Sequence, residues 1–214
     1  MRGGGEEMMM ANPENQELRE RLDLIENMIA EGRRKTESWG WTFLLWGVAY
    51  YIAIAWSTLG QRFAVWGSRG LAWPVTMFGA AALTLAIGFG RGKRGPGTTI
   101  GRAITAVWSS VGISMLLLFP ALGFAGRLDQ HVFVAIVAAM LAIANGASGM
   151  ILKWKMQIGC AVVWWITTAA ACFGSREQVT AVFLAALFLC QIVFGIYAMI
   201  CESRRRRVQG EAHA

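Results

Sequence analysis

The chain has 214 residues, of which 56% are hydrophobic and only 15% are charged, and its formal net charge is +7. A water-soluble domain is about a quarter charged, so this composition excludes an ordinary soluble fold. The excess of cations does not indicate nucleic acid, because every Lys and Arg lies outside the long apolar runs. Cations in that position are typical of bilayer proteins, so the expected partners are membrane lipids with anionic headgroups.

Residues 1–38 form a polar arm ahead of the first apolar run. Asn12-Pro13 predicts a helix start, with Asn as the cap and Pro at the first helical position. The apolar residues that then recur at spacings of four, three and four are Leu18, Leu22, Ile25 and Ile29. This stripe predicts an amphipathic helix over 13–37, although it covers little more than two heptads. Three arrangements remain open: pairing with a second copy or another protein through residues 14–37, packing on the bundle, or lying on the membrane.

Six apolar runs follow, each long enough to cross a hydrocarbon core of ~30 Å at ~1.5 Å per residue. The runs are 39–59, 71–89, 103–126, 131–152, 156–173 and 179–200. Short links predict that consecutive helices are antiparallel, and Pro120 is expected to kink or end the third helix. The predicted fold class is all-α: a six-helix transmembrane bundle with an N-terminal cytoplasmic amphipathic helix and a basic tail, 201–214.

The distribution of Lys and Arg predicts the orientation. Of the 20 Lys and Arg residues, sixteen fall on the side of the predicted membrane that holds both termini. The four on the other side are Arg62, Arg69, Arg127 and Arg176. Because cytoplasmic loops are rich in cations, we expect a multi-pass protein of the plasma (inner) membrane with both termini in the cytoplasm. The candidate contacts for lipid headgroups are Arg33, Arg34, Lys35, Arg91, Lys93, Arg94, Arg204, Arg205, Arg206 and Arg207.

Gly146-Ala147-Ser148-Gly149 reads GxSG and lies in the fourth apolar run. With six spans, this motif resembles the rhomboid intramembrane proteases, whose serine nucleophile lies in such a motif on the fourth helix. The resemblance implies a histidine base on the sixth helix, but the sixth run contains no histidine. His131 lies seventeen residues before Ser148, which is roughly 25 Å along a helix. The sequence therefore predicts no catalytic serine, and Ala142, Gly146 and Gly149 are interpreted as small residues that let helices approach closely.

Neither a cofactor nor a metal is expected. Gly90–Gly95 matches GxGxxG, but the match lies between two apolar runs and not in a βαβ unit, so it does not predict dinucleotide binding. The four cysteines form no CxxC pair and are interpreted as packing residues. They are Cys160, Cys172, Cys190 and Cys201.

The interior of every apolar run lacks Asp, Glu, Lys and Arg, which argues against proton-coupled transport and against catalysis within the bilayer. The neutral polar residues expected at similar depth are Thr84, Ser109, Ser110, Asn145 and Gln191. They are interpreted either as hydrogen bonds between helices or as the lining of a cavity for a neutral solute. We expect Asn145 and Gln191 to turn inward and to bond outside their own helices, because an unpaired amide in hydrocarbon costs several kcal/mol.

The leading hypothesis for function is a non-enzymatic membrane protein that acts through protein or lipid interaction of its cytoplasmic arm. The alternative is a facilitator or channel for a small neutral molecule.

Overall fold

The computed structural model describes residues 13–62, 71–90 and 99–211, and all regular structure in those ranges is helical. The elements are α1 (Pro13–Glu37), α2 (Gly40–Arg62), α3 (Ala72–Gly90), α4 (Thr99–Phe124), α5 (Gln130–Ile151), α6 (Lys155–Phe173), α7 (Arg176–Leu187), a π-helical segment (Phe188–Val193) and α8 (Phe194–Glu211). Within the described ranges, α2, α4, α5, α6 and the continuous helix Arg176–Arg207 are long and apolar enough to cross a membrane, and Ala72–Gly88 is a shorter apolar helix. The described part of the chain is therefore an all-helical bundle whose long apolar helices suit a membrane, as the composition predicted.

One helix continues past its proline and another past the end of its apolar run. Pro120 does not end α4, which continues to Phe124, because a proline removes only one backbone N–H from the helix. The last helix continues past the apolar run into the basic tail as far as Glu211. There Glu202 and Arg206 form an ion pair one turn apart, a contact that favours helix.

Helices α5 and α6 form the centre of the bundle, and small residues bring them together. A Cβ atom on Gly149 would lie 2.8 Å from Ile158 Cγ1 and 2.9 Å from the backbone nitrogen of Ile158. A Cβ atom on Gly146 would lie 3.4 Å from the ring of Trp165. The interpretation of Gly146 and Gly149 as sites of close helix approach is confirmed.

Helices α2 and α8 cross with their backbones in contact at two glycines. A Cβ atom on Gly40 would lie 2.8 Å from the carbonyl oxygen of Gly195, and one on Gly195 would lie 2.9 Å from the carbonyl oxygen of Gly40. Further along α2, a Cβ atom on Gly47 would lie 2.8 Å from Gln191 Cβ. This contact was not predicted, although Gly40 and Gly47 are two helical turns apart and so share one face of α2.

The second half of α1 packs on the bundle and the first half does not. At Gly32 an added Cβ would lie 2.7 Å from Ile100 Cγ2 of α4 and 2.9 Å from Leu152 Cδ2 after α5. Residues 16–27 are exposed throughout. These contacts place the start of α4 and the end of α5 at one end of the bundle, which we call the arm face. Of the three arrangements left open for the arm, packing on the bundle applies to its second half.

Candidate functional site

A buried carboxylate joins the arm to the last helix at the arm face. Glu37, the final residue of α1, is 1% exposed. Its Oε1 accepts a hydrogen bond of 3.2 Å from Arg33 Nε, and its Oε2 lies 2.5 Å from Arg205 Nη2 of α8. An unpaired carboxylate at this depth would cost several kcal/mol, so the two guanidinium groups are what allow Glu37 to be buried. The three side chains therefore tie α1 to α8.

The same arginine also contacts the turn between α5 and α6. The guanidinium of Arg33 lies 5.3 Å from the ring centroid of Trp154, a cation–π distance. Trp154 is 2% exposed and packs on Phe194 of α8 with ring centroids 5.1 Å apart. Arg33 is thus held from two sides, by a carboxylate and by an aromatic face.

The turn that carries Trp154 has an unusual residue at its sharpest point. Lys153 has φ 49°, in the left-handed region that favours glycine. The Lys153 N–H donates to Met150 O at 3.3 Å and the Trp154 N–H donates to Gly149 O at 2.9 Å. This bonding pattern closes many helix C-termini, normally with glycine where Lys153 lies. The turn therefore leaves an exposed lysine beside Arg33.

Two adjoining cavities open beside this turn. The first has a volume of about 490 Å³ and is lined by Glu26, Ile29, Ala30, Arg33, Arg34, Leu152, Lys153 and Arg205. The second has a volume of about 330 Å³ and is lined by Arg33, Lys153, Trp154, Lys155, Met156 and Tyr197. Cations from α1, from the α5–α6 turn and from α8 thus face shared space.

The structure places some of the cations that were predicted to contact lipid headgroups close together and separates others. Arg33, Arg34 and Arg205 share the first cavity. Arg204, Arg206 and Arg207 are exposed on α8. The side chain of Lys35 and all of Arg91, Lys93 and Arg94 lie outside what the structure describes. Sequence reasoning missed Glu37, Lys153 and Trp154 as site residues; the only signal was that all three flank the ends of apolar runs.

The residues of the predicted polar layer differ in burial. Asn145 is 1% exposed and Gln191 is 3% exposed, so the expected inward orientation of both is confirmed. Thr84 accepts a hydrogen bond of 3.2 Å from Trp46 Nε1, which joins α2 to α3. Ser109 and Ser110 are exposed on α4, a helix in which only Gly101 and Ile104 are buried.

The hydrogen bond of the Asn145 side chain differs from the expectation. Asn145 Nδ2 donates to Leu141 O of its own helix at 2.8 Å, because a helical carbonyl can accept a second bond. Asn145 Oδ1 and both amide atoms of Gln157 are buried without a hydrogen-bond partner among the described residues. Gln191 lies in the π-helical segment beside Gly47. Gln157 was not predicted as part of this group.

The two residues of the rejected protease hypothesis lie at opposite ends of α5. Ser148 is fully buried and accepts a hydrogen bond of 3.0 Å from Trp108 Nε1 of α4. His131 Nε2 lies 3.3 Å from Gly174 O, where α6 ends. The two side chains do not form a nucleophile–base pair.

Neither the cysteines nor the comparisons with known proteins indicate a further site among the described residues. Buried Cys190 Sγ lies 3.7 Å from the carbonyl oxygen of Cys160. Within the ranges that the structure describes, no three His, Cys, Asp or Glu side chains are placed to hold a metal ion. Comparison of the chain with protein-family models, curated proteins and solved structures yields no match.

Proposed function

We propose that the protein is a non-enzymatic membrane protein that acts by interaction through its cytoplasmic arm. The observation that carries this proposal is the contrast within α1. Its second half is tied to the bundle through Glu37, whereas Leu18, Leu22 and Ile25 on its first half are each more than half exposed. A helix that is rigidly mounted and presents an apolar stripe is suited to contact a partner.

The proposed partner is a second copy of the chain, in a short parallel pair of α1 helices. The spacing of the stripe places Leu22 and Ile29 at a positions and Leu18 and Ile25 at d positions of a heptad. Arg21 and Glu26 then occupy g and e positions, which lie opposite each other in a parallel pair. Their opposite charges favour that pairing over a random encounter. Because two heptads are weakly stable alone, confinement of both bundles to one membrane supplies the effective concentration.

A pair of matched variants tests this proposal. Leu22→Lys places a charge in the stripe, and Leu24→Lys places the same charge at an equally exposed residue off the stripe. Full-length protein in detergent is measured by light scattering and by cross-linking in membranes. We expect wild type and Leu24→Lys to be dimeric and Leu22→Lys to be monomeric. Equal behaviour of the two variants would remove the support for pairing through the stripe.

We propose that the chain crosses the plasma (inner) membrane six times, with both termini in the cytoplasm. The Glu37–Arg205 contact supports an even number of crossings, since it keeps the start of α2 and the end of α8 on one side. Helix α3 supplies the sixth crossing. A reporter fused after Arg207 is expected to read cytoplasm, and one inserted at Asp129 is expected to read outside. A cytoplasmic reading at Asp129 would refute the six-span topology.

A facilitator for a small neutral molecule is the second candidate. It is favoured by the buried amide atoms of Asn145 and Gln157 that lack partners, and by the π-helical segment at Gln191, since such segments often occur at functional sites. Flux of water, urea or glycerol into vesicles containing the protein tests it, with Gln157→Leu as the variant. Uptake no faster than in empty vesicles would exclude these solutes.

A further inference from the structure

We propose that the first cavity at the arm face is a binding site for a phosphate group, supplied either by an anionic phospholipid headgroup or by free phosphate. The volume of this cavity, about 490 Å³, suits a headgroup-sized ligand. The proposal rests on the membrane placement given above, and of the four stripe residues it uses only Ile29, so it does not depend on Leu18, Leu22 or Ile25.

The charge balance of the cavity favours an anion. Four of the eight lining residues are cations and one, Glu26, is an acid. Glu37 is the only other acid described in contact with these cations, and it neutralises one charge of the Arg33–Arg205 pair. Two positive charges are left without a matching acid. Guanidinium groups bind phosphate oxygens through paired N–H donors, a geometry that a single lysine does not provide.

Two of the four cations are held in place before any ligand binds. Arg33 is fixed between Glu37 and the ring of Trp154, and Arg205 is fixed by Glu37 from a different helix. The backbone of Lys153 lies at the cavity in a turn that would be less strained with glycine. Binding to a preorganised set of donors avoids the entropy cost of ordering long side chains. The site thus differs from the other basic residues of α8, which are exposed on one helix.

The site lies where a phospholipid headgroup would be. It is formed by the ends of α1, α5 and α8, at the level where the apolar runs give way to charge. Clusters of basic side chains between the ends of membrane helices are suited to anionic headgroups. Leu152 and Ile29 add an apolar wall against which the upper part of a lipid could pack.

Two double variants with equal charge test the site. Arg34→Gln/Lys153→Gly removes two cations from the cavity and leaves the Glu37 contacts intact; glycine at 153 adopts a positive φ without strain. Arg204→Gln/Arg207→Gln removes two exposed cations from the same face, outside the cavity. Delipidated full-length protein is incubated with micelles of phosphatidylglycerol or phosphatidylcholine, and the retained lipid is counted by native mass spectrometry. In a second arm, inorganic phosphate is titrated against protein in an uncharged detergent while the thermal transition is followed.

We expect wild type and the tail variant to retain phosphatidylglycerol over phosphatidylcholine, and the cavity variant to lose that preference by about tenfold or more. Protection by inorganic phosphate alone, lost in the cavity variant, would support the site and identify free phosphate as the source. Equal losses in the two double variants, or no preference for either anion in wild type, would overturn the proposal. Leu22 does not line the cavity, so we expect a monomeric Leu22→Lys protein to bind the anion as wild type does. The anion site and the pairing of the arms can therefore fail separately.

Discussion

Helices α4 and α5 are neighbours in the chain and are similar in length and apolar character, yet they occupy different places in the bundle. Ten residues of α5 are buried, whereas α4 buries only Gly101 and Ile104, both near its start. Within a membrane, bringing two leucine-rich faces together gains no hydrophobic free energy, because lipid tails are equally apolar. Small residues decide which helix is central. Gly146 and Gly149 let α5 approach α6, whereas no atom of the described residues lies within 4 Å of a Cβ built on Gly112 or Gly123 of α4.

Truncation of one leucine in each helix is expected to give the largest difference in stability between α4 and α5. Leu141 of α5 is 7% exposed and Leu117 of α4 is 69% exposed. Leu141→Ala is expected to lower the free energy of unfolding by about 3 kcal/mol through a cavity, and Leu117→Ala by less than about 0.5 kcal/mol. Denaturant unfolding in detergent measures both. Similar losses would mean that the face of α4 carrying Leu117 is covered in the assembled protein.

Glycine substitutions sharpen the argument about close approach. Gly149→Ala is expected to cost about 2 kcal/mol, because the new methyl group would overlap Ile158, including its backbone nitrogen. The methyl group of Gly112→Ala would meet no atom of the described residues within 4 Å and should stabilise α4 by up to about 1 kcal/mol through higher helix propensity. Thermal transitions of the two variants are expected to shift in opposite directions, and a shift of both in the same direction would contradict the packing explanation.

Ser148→Ala tests the polar contact that links the two helices. Loss of the acceptor for Trp108 Nε1 is expected to cost about 0.6 kcal/mol, the usual size of such bonds between membrane helices. The same protein also tests the absence of serine chemistry. Labelling of wild type, but not of Ser148→Ala, by a fluorophosphonate probe would revive the protease hypothesis.

Asn145→Leu is expected to have the smallest effect, within about 0.5 kcal/mol of wild type. The amide bonds only to its own helix and its Oδ1 lacks a partner among the described residues, so its removal also removes a buried unsatisfied group. A loss of about 2 kcal/mol or more in the same unfolding measurement would show that a bound molecule or water completes the site. That result would favour the facilitator hypothesis.

The sequence predicted burial correctly where the chemistry of a single side chain decided it. The inward orientation of Asn145 and Gln191 followed from the cost of an amide in hydrocarbon, and both residues are buried. The same reasoning does not extend to Ser109, which is exposed, because a serine hydroxyl can bond to its own helix and tolerates such a position. Glu37 was missed because it pairs with Arg33 and Arg205, and Lys153 because it lines a cavity with them; the two arginines are distant from each other in the chain.

The sequence by itself determined that the chain is a helical membrane protein, because a bilayer requires long apolar segments whose backbone bonds are satisfied internally. Its glycines and alanines also indicated that α5 could pack closely. Only the tertiary structure decided that α4 is peripheral, that α2 crosses α8 at Gly40 and Gly195, and that Glu37 joins two arginines from opposite ends of the chain. The reason is that burial and charge pairing depend on which helices meet. The hydropathy of one helix does not indicate which other helices pack against it.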